Sequence, residues 1–417
     1  MSDAVHVLQS DAFKTRLKKR YAAEKRFKAL GLGAIVFSVA VLLFLLVTMS
    51  INGIGGFQRA ELRVPVDMTQ VGFSAPTAED SDPAVFVRSL GRQGLEDVVN
   101  FSAEQALGAD GAAQLNGNAW REVAYAMAED PSLLRSNTEF WLPASDRLAT
   151  AMTGEGATEL QPLARSLEER GLLADRFDPG FLTRSDATDP QVVGIWSALK
   201  GSILTMIVTL LLAFPVGVLA ALYLEEYAPK NRWTDLIEVS INNLAAVPSI
   251  IFGLLGLAVF LWIFPNFRSA PLIGGMTLAL MTMPVIVISG RNAIKAVPPS
   301  IRDGALAVGA SPVQVVFHHV LPLALPGILT GTIIGMARAL GETAPLLMIG
   351  MRAFVATPPD GFTSPSTVLP VQIFLWSDQI DRGFVERTSA AIIVLLIFLL
   401  LMNGLAIYLR NRFEKRW

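Results

Sequence analysis

The sequence contains no cysteine and only three histidines among its 417 residues. The absence of cysteine excludes disulfide bonds, thiolate metal ligands and a cysteine nucleophile. The pattern G-x-x-x-x-G-K-[ST] is also absent, so the chain has no phosphate-binding loop of that type for ATP. His318 and His319 are adjacent. Because adjacent helical residues point about 100° apart, we expect them to serve packing and docking, and no metal or cofactor bound by this chain is predicted.

Charge is scarce over long stretches of the chain. Hydrophobic residues make up 52% of the sequence, charged residues 17%, and the mean hydropathy is +0.47. This composition is too apolar for a soluble enzyme of this length and predicts an integral membrane protein. Six stretches are long enough to span roughly 30 Å of hydrocarbon: residues 29–50, 201–224, 239–267, 269–290, 320–350 and 388–409. The prediction is an all-α polytopic membrane protein.

The distribution of basic residues predicts the orientation. Residues 1–28 are rich in lysine and arginine immediately before the first span, so they are expected in the cytoplasm. The span at 29–50 has no cleavage site after it and is predicted to be a permanent anchor. Six crossings return residues 411–417 to the cytoplasm, where their basic residues belong. The expected location is therefore the bacterial inner (plasma) membrane, with both termini cytoplasmic.

Residues 51–195 then form one periplasmic domain between the first and second spans, and residues 196–410 form the remaining five-helix portion. The insert opens on a strand-like stretch at 60–68 and contains a helix-like stretch at 161–177. The tripeptide Asp178-Pro179-Gly180 is typical of a turn. We expect an α+β or mostly helical soluble domain. It shows no catalytic pattern, which leaves open a docking or assembly role and a chemically inert packed domain.

Residues 297–322 predict two short helices joined at a sharp corner, which we call the elbow. Gly309 suits the left-handed position that ends a helix. Ser311 can cap the next helix, with Pro312 at its first position and Gln314 completing a capping box. Because the fifth span follows at once, force on the elbow would reach that span.

The elbow resembles the EAA loop of binding-protein-dependent ABC importer permeases. The resemblance rests on Asp303-Gly304-Ala305, Gly309 and Leu321-Pro322, which have the spacing of that loop. Asp303, Gly304 and His319 depart from the consensus Glu, Ala and Ile, and Gly304 should weaken its helix by up to about 1 kcal/mol relative to Ala. The resemblance implies the type I ABC importer permease fold and an elbow that docks on a partner ATPase, which binds the ATP. The coupling residues it implies are Arg302, Asp303, Gly304, Ala305, Gly309, Ser311 and Pro312.

The stretch GMARALGETAPLL at 335–347 resembles the PstA family of phosphate importer permeases. The resemblance covers about residues 197–409, and the long insert is similar to a variant of that family with an extra amino-terminal domain. It implies import of inorganic phosphate together with a PstC-like sister permease, a PstB-like ATPase dimer and a PstS-like periplasmic phosphate-binding protein. The resemblance therefore implies contact with these proteins and with the lipid bilayer, and it implies no nucleic-acid partner.

The fifth predicted span carries two charges beside a row of glycines. At about 100° per residue, Gly327, Gly331 and Gly335 share one roughly 80° arc with Arg338 and Glu342. This face should meet a neighbouring helix or the partner permease rather than lipid, because small residues permit close helix approach. A buried cation with forked donors suits phosphate, so we predict Arg338 on the substrate path, held by Glu342 when the path is empty. Thr343 is assigned to the same path.

Three alternatives remain open at this stage. Arg338 and Glu342 can instead form an ion pair that only stabilises helix packing. The substrate can be another oxyanion, such as sulfate or molybdate, and the chain can be a membrane-anchored sensor or scaffold. For Arg291, at the end of the fourth span, we favour the role of a cytoplasmic positive anchor. No covalent chemistry by this chain is predicted, since ATP hydrolysis falls to the partner.

Overall fold

The structure is a computed structural model that describes residues 11–69, 72–73, 83–154, 158–351, 354–381 and 383–413. The chain divides into two compact units, Met1–Asn52 and Gly53–Trp417. The described part of the first unit lies in the helix Asp11–Gly55, whose last three residues are counted with the second unit. This helix contains the first predicted span, and residues 17–55 are long and apolar enough to cross a membrane.

The insert domain was predicted at residues 51–195, but the first helix continues to Gly55, so the fold of this domain begins at residue 56. It contains a three-stranded antiparallel sheet. Strands β1 (Gln58–Asp67), β2 (Asn137–Pro143) and β3 (Leu173–Phe177) have the order β2-β1-β3. Its helices are Pro83–Arg92, Leu95–Ala112, Ala119–Glu129, Asp146–Met152, Gln161–Glu169 and Gly180–Thr183. The α+β alternative is therefore correct, although the stretch expected to be helical through residue 177 is divided. Its helix ends before Gly171, which has φ +68°, and the chain continues as β3.

The core of the insert domain is built on the central strand. Leu62, Val64 and Val66 are completely buried, and they alternate with more exposed residues as expected for a strand with one face covered. Leu62 lies opposite Leu142 on β2 and Leu173 on β3. The helices cover this apolar face, so the insert domain has a hydrophobic core of its own.

The second unit contains the remaining candidate spans. The second span is Trp196–Leu222, which continues as a π-helical turn, Tyr223–Tyr227. The fourth is Pro271–Lys295, the fifth Leu321–Leu340 and the sixth Gly383–Phe413. By length and composition, five helices in the described part of the chain can cross a membrane, or six if the bent helix pair in the third position counts as one span.

Two of the predicted spans are broken rather than continuous. In the third, Arg232–Ala245 and Ser249–Ile263 meet at a bend of 103°. In the fifth, the helix ends at Leu340 and resumes only as the short helix Ala344–Met348. Pro248 and Pro345 explain the breaks, because a proline lacks the amide hydrogen and its ring clashes with the carbonyl four residues earlier.

The insert domain packs against the ends of the later helices through an aromatic cluster. Phe181 lies 6.3 Å from Trp376 on the helix Leu369–Ser377, measured between ring centroids. Trp376 lies 6.0 Å from Phe384 at the start of the sixth span. All three side chains are buried, so the insert domain and the sixth span share one apolar core.

Arg387 lies at the centre of this contact and is 97% buried, with a relative exposure of 3%. Its Nε donates to the carbonyl of Pro190 at 2.8 Å, and its Nη1 donates to the carbonyl of Gly56 at 2.7 Å. Its Nη2 lies 3.6 Å from a carboxylate oxygen of Asp178. The guanidinium also lies over the ring of Phe181, 5.3 Å from its centroid. One side chain therefore joins both ends of the insert domain to the sixth span.

Asp186 forms a second polar contact between the insert domain and the helix Leu369–Ser377, and it gives a pH-dependent prediction. Its carboxylate accepts a hydrogen bond from Trp376 Nε1 at 3.1 Å. Burial raises the pKa of Asp186, and hydrogen bonds from Trp376 and Gln372 only partly oppose this rise. The folded protein therefore binds this proton more tightly than the unfolded chain, and the free energy of unfolding falls as pH rises through the folded pKa.

We expect Asp186→Asn to raise the thermal midpoint of the purified protein at pH 7, because it keeps an acceptor for Trp376 and removes the buried charge. The advantage over the natural protein should shrink as the pH falls toward about 4, because Asp186 then becomes protonated in the folded state and the buried charge disappears. Thermal midpoints measured between pH 8 and pH 4 test this. A constant difference across that range would contradict it.

Candidate functional site

The elbow has the predicted two-arm structure. Its first arm is the helix Pro299–Ala307, and Gly309 follows with φ +90°. The second arm opens with the capping box. In it, the backbone N–H of Gln314 donates to Ser311 Oγ at 3.3 Å, and the backbone N–H of Ser311 donates to Gln314 Oε1 at 2.8 Å. This arm then continues through a π-helical segment, residues 315–320, directly into the fifth span. Any tilt of the second arm is therefore a tilt of the fifth span.

The predicted coupling residues divide into two groups. Asp303, Gly304, Gly309, Ser311 and Pro312 are exposed on the surface of the elbow. Ala305, in contrast, is buried under the first arm, and Arg302 turns away from the exposed surface. The structure thus brings together five of the seven residues on a face that a partner can contact, and it gives the other two internal positions.

Arg302 connects the elbow to two spans. Its Nη2 donates to Glu226 Oε1 at 2.7 Å, and its Nε lies 3.2 Å from the same oxygen. Its Nη1 donates to the carbonyl of Val297 at 2.7 Å, and Nη2 also donates to the carbonyl of Ile294 at 3.0 Å. The guanidinium therefore satisfies the last carbonyls of the fourth span and binds a carboxylate at the end of the second.

A neighbouring charged cluster involves Arg291, which the sequence suggested only as a positive anchor. Its Nη2 donates to Glu238 at 2.8 Å and its Nε donates to Glu225 at 3.4 Å. Lys295 lies 3.6 Å from Glu225. Arg291 therefore joins the second, third and fourth spans. The partners are 53 and 66 residues away in sequence, so no local pattern could have identified them.

The glycine row of the fifth span packs against the fourth span. A Cβ on Gly327 would lie 2.6 Å from the Cβ of Ala293. On Gly331 it would lie 1.8 Å from Ser289 Oγ, and on Gly335 it would lie 2.8 Å from a methyl group of Thr282. The neighbouring helix on this face is thus one of the same chain.

Two glycines give opposite predictions. Gly331→Ala should destabilise the protein by about 1–3 kcal/mol, because the new methyl group overlaps the side chain of Ser289. Gly304→Ala should stabilise the elbow by up to about 1 kcal/mol, because nothing lies within 4 Å of the added methyl group and alanine favours the helix. Thermal midpoints of the purified variants test both. Equal midpoints for the two would contradict the packing described here.

The sequence predicted Arg338 and Glu342 near the middle of one continuous span. In the structure they lie where that span is interrupted between Leu340 and Ala344. Arg338 is in the last turn of Leu321–Leu340, and its Nε lies 3.4 Å from Glu342 Oε1. The side chain of Arg338 is 46% exposed and that of Glu342 is 17% exposed. Within the described ranges, the guanidinium of Arg338 makes one hydrogen bond, which is the bond to Glu342.

The break in the fifth span lies against the second half of the broken third span. A Cβ on Gly253 would lie 2.6 Å from the Cα of Pro345, which begins the chain's return into helix. A Cβ on Gly256 would lie 3.1 Å from a methyl group of Ile349. Thr343 lies between the two helical pieces of the fifth span and is partly exposed. Arg338, Glu342 and Thr343 are thus brought together where two interrupted helices meet.

The break places a cationic hydrogen-bond donor, Arg338, within the fifth candidate span. Across the described ranges, no group of three or more His, Asp or Glu residues could hold a metal ion. Non-helical backbone within a membrane is tolerated where it is buried in protein or lines a water-filled cavity. A half-exposed arginine beside such a break is therefore suited to contact a polar solute.

Comparison with known proteins gives the family. Residues 14–162 match the family described as "Domain of unknown function (DUF3333)", so one family profile spans the first helix and most of the insert domain. Residues 213–417 match the family described as "Binding-protein-dependent transport system inner membrane component".

Three similar proteins are as follows. The "Probable ABC transporter permease protein YqgI" of Bacillus subtilis is 32% identical over 55% of this chain and 79% of its own length. The "Phosphate transport system permease protein PstA 1" of Mycobacterium tuberculosis H37Rv is 30% identical over 52% of this chain and 70% of its own length. A solved inward-facing structure of the MetNI methionine ABC transporter covers 53% of this chain and 95% of that chain, with a TM-score of 0.42 at 18% identity. By the sequence relationships, the chain belongs to the family of binding-protein-dependent transport system inner membrane components, as a permease similar to PstA.

Proposed function

We propose that this chain is the permease subunit of a phosphate ABC importer. The observation that carries the proposal is Arg338 at the break in the fifth span, with guanidinium donors that are not used within the described protein. The phosphate transport permeases among its relatives support the choice of anion. Phosphate carries one to two negative charges, and a guanidinium matches its oxygens with parallel N–H donors.

In this proposal Glu342 acts as an exchangeable partner for Arg338. When no phosphate is present, the Glu342 carboxylate compensates the arginine charge across the 3.4 Å contact. An arriving phosphate offers more acceptor oxygens than one carboxylate and displaces it. The distance between Arg338 and Glu342 is long for an ion pair and Arg338 is half exposed, so breaking this pair costs little free energy. Thr343, beside Glu342, supplies a hydroxyl to the same position.

The energy for transport comes from partner subunits. The exposed residues of the elbow, Asp303, Gly304, Gly309, Ser311 and Pro312, form the surface on which a PstB-like ATPase docks. The ATPase binds and hydrolyses ATP, and this chain performs no covalent chemistry. A PstC-like permease completes the path, and a PstS-like binding protein delivers phosphate.

The elbow and the insert domain define the orientation. The elbow and both termini face the cytoplasm, and residues 51–195 face the periplasm across the bacterial inner membrane. The basic residues that precede the first span support this orientation by the positive-inside rule. Residues 1–10 and 414–417, at the two ends, lie outside the described residues.

Uptake by cells that lack this chain tests the proposal. We expect loss of high-affinity uptake of labelled phosphate, with uptake of sulfate and molybdate unchanged. An ATPase subunit should copurify with the tagged chain from wild-type membranes. Loss of sulfate or molybdate uptake instead of phosphate uptake would assign another oxyanion. A chain that copurifies with no ATPase would favour a sensor or scaffold.

A further inference from the structure

The second span ends in a structure that differs from an ordinary helix terminus. Its last turn, Tyr223–Tyr227, is π-helical and carries Glu225 and Glu226 at adjacent positions. Single π-helical turns are rare and occur frequently at functional sites. Because adjacent residues point in different directions, the two carboxylates reach different partners. Glu225 contacts Arg291 and Lys295 on the fourth span, whereas Glu226 contacts Arg302 on the elbow.

The contact between Glu226 and Arg302 is close and mostly buried. The relative exposures of the two side chains are 12% and 23%. Two guanidinium nitrogens of Arg302 approach the same carboxylate oxygen, and other donors of that guanidinium are fixed on the carbonyls of Ile294 and Val297. With so many donors fixed, Arg302 cannot follow Glu226 by a simple change of rotamer. Displacement of the elbow must therefore move the end of the second span or break the pair.

We propose that the Arg302–Glu226 pair is a mechanical link that carries elbow movement to the second span. The inference rests on the proposed function. The fifth span needs no such link, because the second arm of the elbow continues into it as one helix. The second span has no such continuity with the elbow, because Glu226 and Arg302 are 76 residues apart in sequence. Through it, one docking surface moves two spans together, and Arg302 is a positioning residue rather than part of the docking face.

The test uses the full complex, purified with this chain and reconstituted in vesicles, with phosphate uptake and ATP hydrolysis measured on the same sample. Glu226→Gln removes the charge partner and leaves the bonds of Arg302 to Ile294 and Val297 in place. We expect the phosphate transported per ATP hydrolysed to fall about tenfold, within the usual range of coupling between sites. The double variant should show no larger fall than Arg302→Gln alone, because both substitutions break the same link.

The matched control is Glu139→Gln, which removes the carboxylate of an exposed ion pair with Arg63 in the insert domain and should leave the ratio unchanged. A ratio is unaffected by a smaller yield of assembled complex. A wild-type ratio in Glu226→Gln would overturn the inference, as would losses that multiply in the double variant. Failure of the proposed function looks different, since the wild-type complex itself would then take up no phosphate.

Discussion

Arg338→Ala reduces phosphate uptake by about a hundredfold, the loss expected when a charge-assisted, forked hydrogen bond to an anion is removed. Arg338→Lys should fail to restore uptake, because an ammonium group lacks the planar fork of the guanidinium. Assembly should be unaffected, since Arg338 is 46% exposed and contacts only Glu342 by hydrogen bond within the described ranges. The measurement is initial uptake of labelled phosphate, normalised to the amount of the chain in the membrane.

Arg412→Ala is the matched control, because Arg412 is an exposed arginine near the end of the sixth-span helix, away from the break in the fifth. Its removal should leave uptake unchanged. Uptake that persists in Arg338→Ala would show that the Arg338–Glu342 pair serves packing. In that case the assignment of the path would be wrong, while the family of the chain would stand.

Arg387→Gln weakens the contact between the insert domain and the sixth span and destabilises the protein by about 2–5 kcal/mol, because two buried carbonyl groups lose their donor at a cost of about 1–3 kcal/mol each. The substitution removes the donors to the carbonyls of Gly56 and Pro190, and it weakens the compensation of Asp178. Asp178 retains Arg184 at 2.5 Å, so its charge is not left wholly unpaired. We expect the main loss at the contact between the insert domain and the helices.

Limited proteolysis and thermal unfolding of the purified full chain measure this effect. Cleavage should become faster in residues 178–195, which connect the insert domain to the second span, and the thermal midpoint should fall. Arg63→Gln provides the comparison, because Arg63 pairs with Glu139 at the surface, where an ion pair contributes little. An Arg387→Gln protein as stable and as resistant as Arg63→Gln would contradict the role given to Arg387.

Local sequence patterns were sufficient where the structure depends on local chemistry. The elbow is an example, because Gly309, Ser311 and Gln314 act on the backbone within a few residues of themselves. The spans were found because a run of apolar residues is itself the requirement for crossing a membrane. The strand at the start of the insert domain was also recognisable from its alternating residues.

The two broken spans show where apolar length alone misleads. From hydropathy, residues 239–267 and 320–350 were predicted as continuous spans. In the structure, Pro248 and Pro345 interrupt the helical hydrogen bonds within them. The prolines were visible in the sequence, but whether a proline bends or ends a helix depends on the neighbouring structure that satisfies the freed carbonyls. The consequence is functional, because the break moves Arg338 to the end of a helix.

The long-range contacts of the buried arginines could not be predicted from one sequence. Arg302 and Glu226 are 76 residues apart, and Arg387 and Gly56 are 331 residues apart. In the sequence, Arg302, Glu226 and Arg387 each look like an ordinary charge near the end of a span. Only the packing of the helices decides which carboxylate or carbonyl each arginine reaches, and thus that Arg302 points inward instead of toward a docking partner.

The central claim is that this chain forms part of an ATP-driven path for phosphate. The most direct test is uptake of labelled phosphate by vesicles that contain the complex purified with this chain, supplied with its binding protein and with ATP on the side of the ATPase. The account predicts uptake that requires ATP, is competed by unlabelled phosphate and is unaffected by excess sulfate or molybdate. Uptake that is absent with ATP, or that sulfate or molybdate competes away, would contradict it.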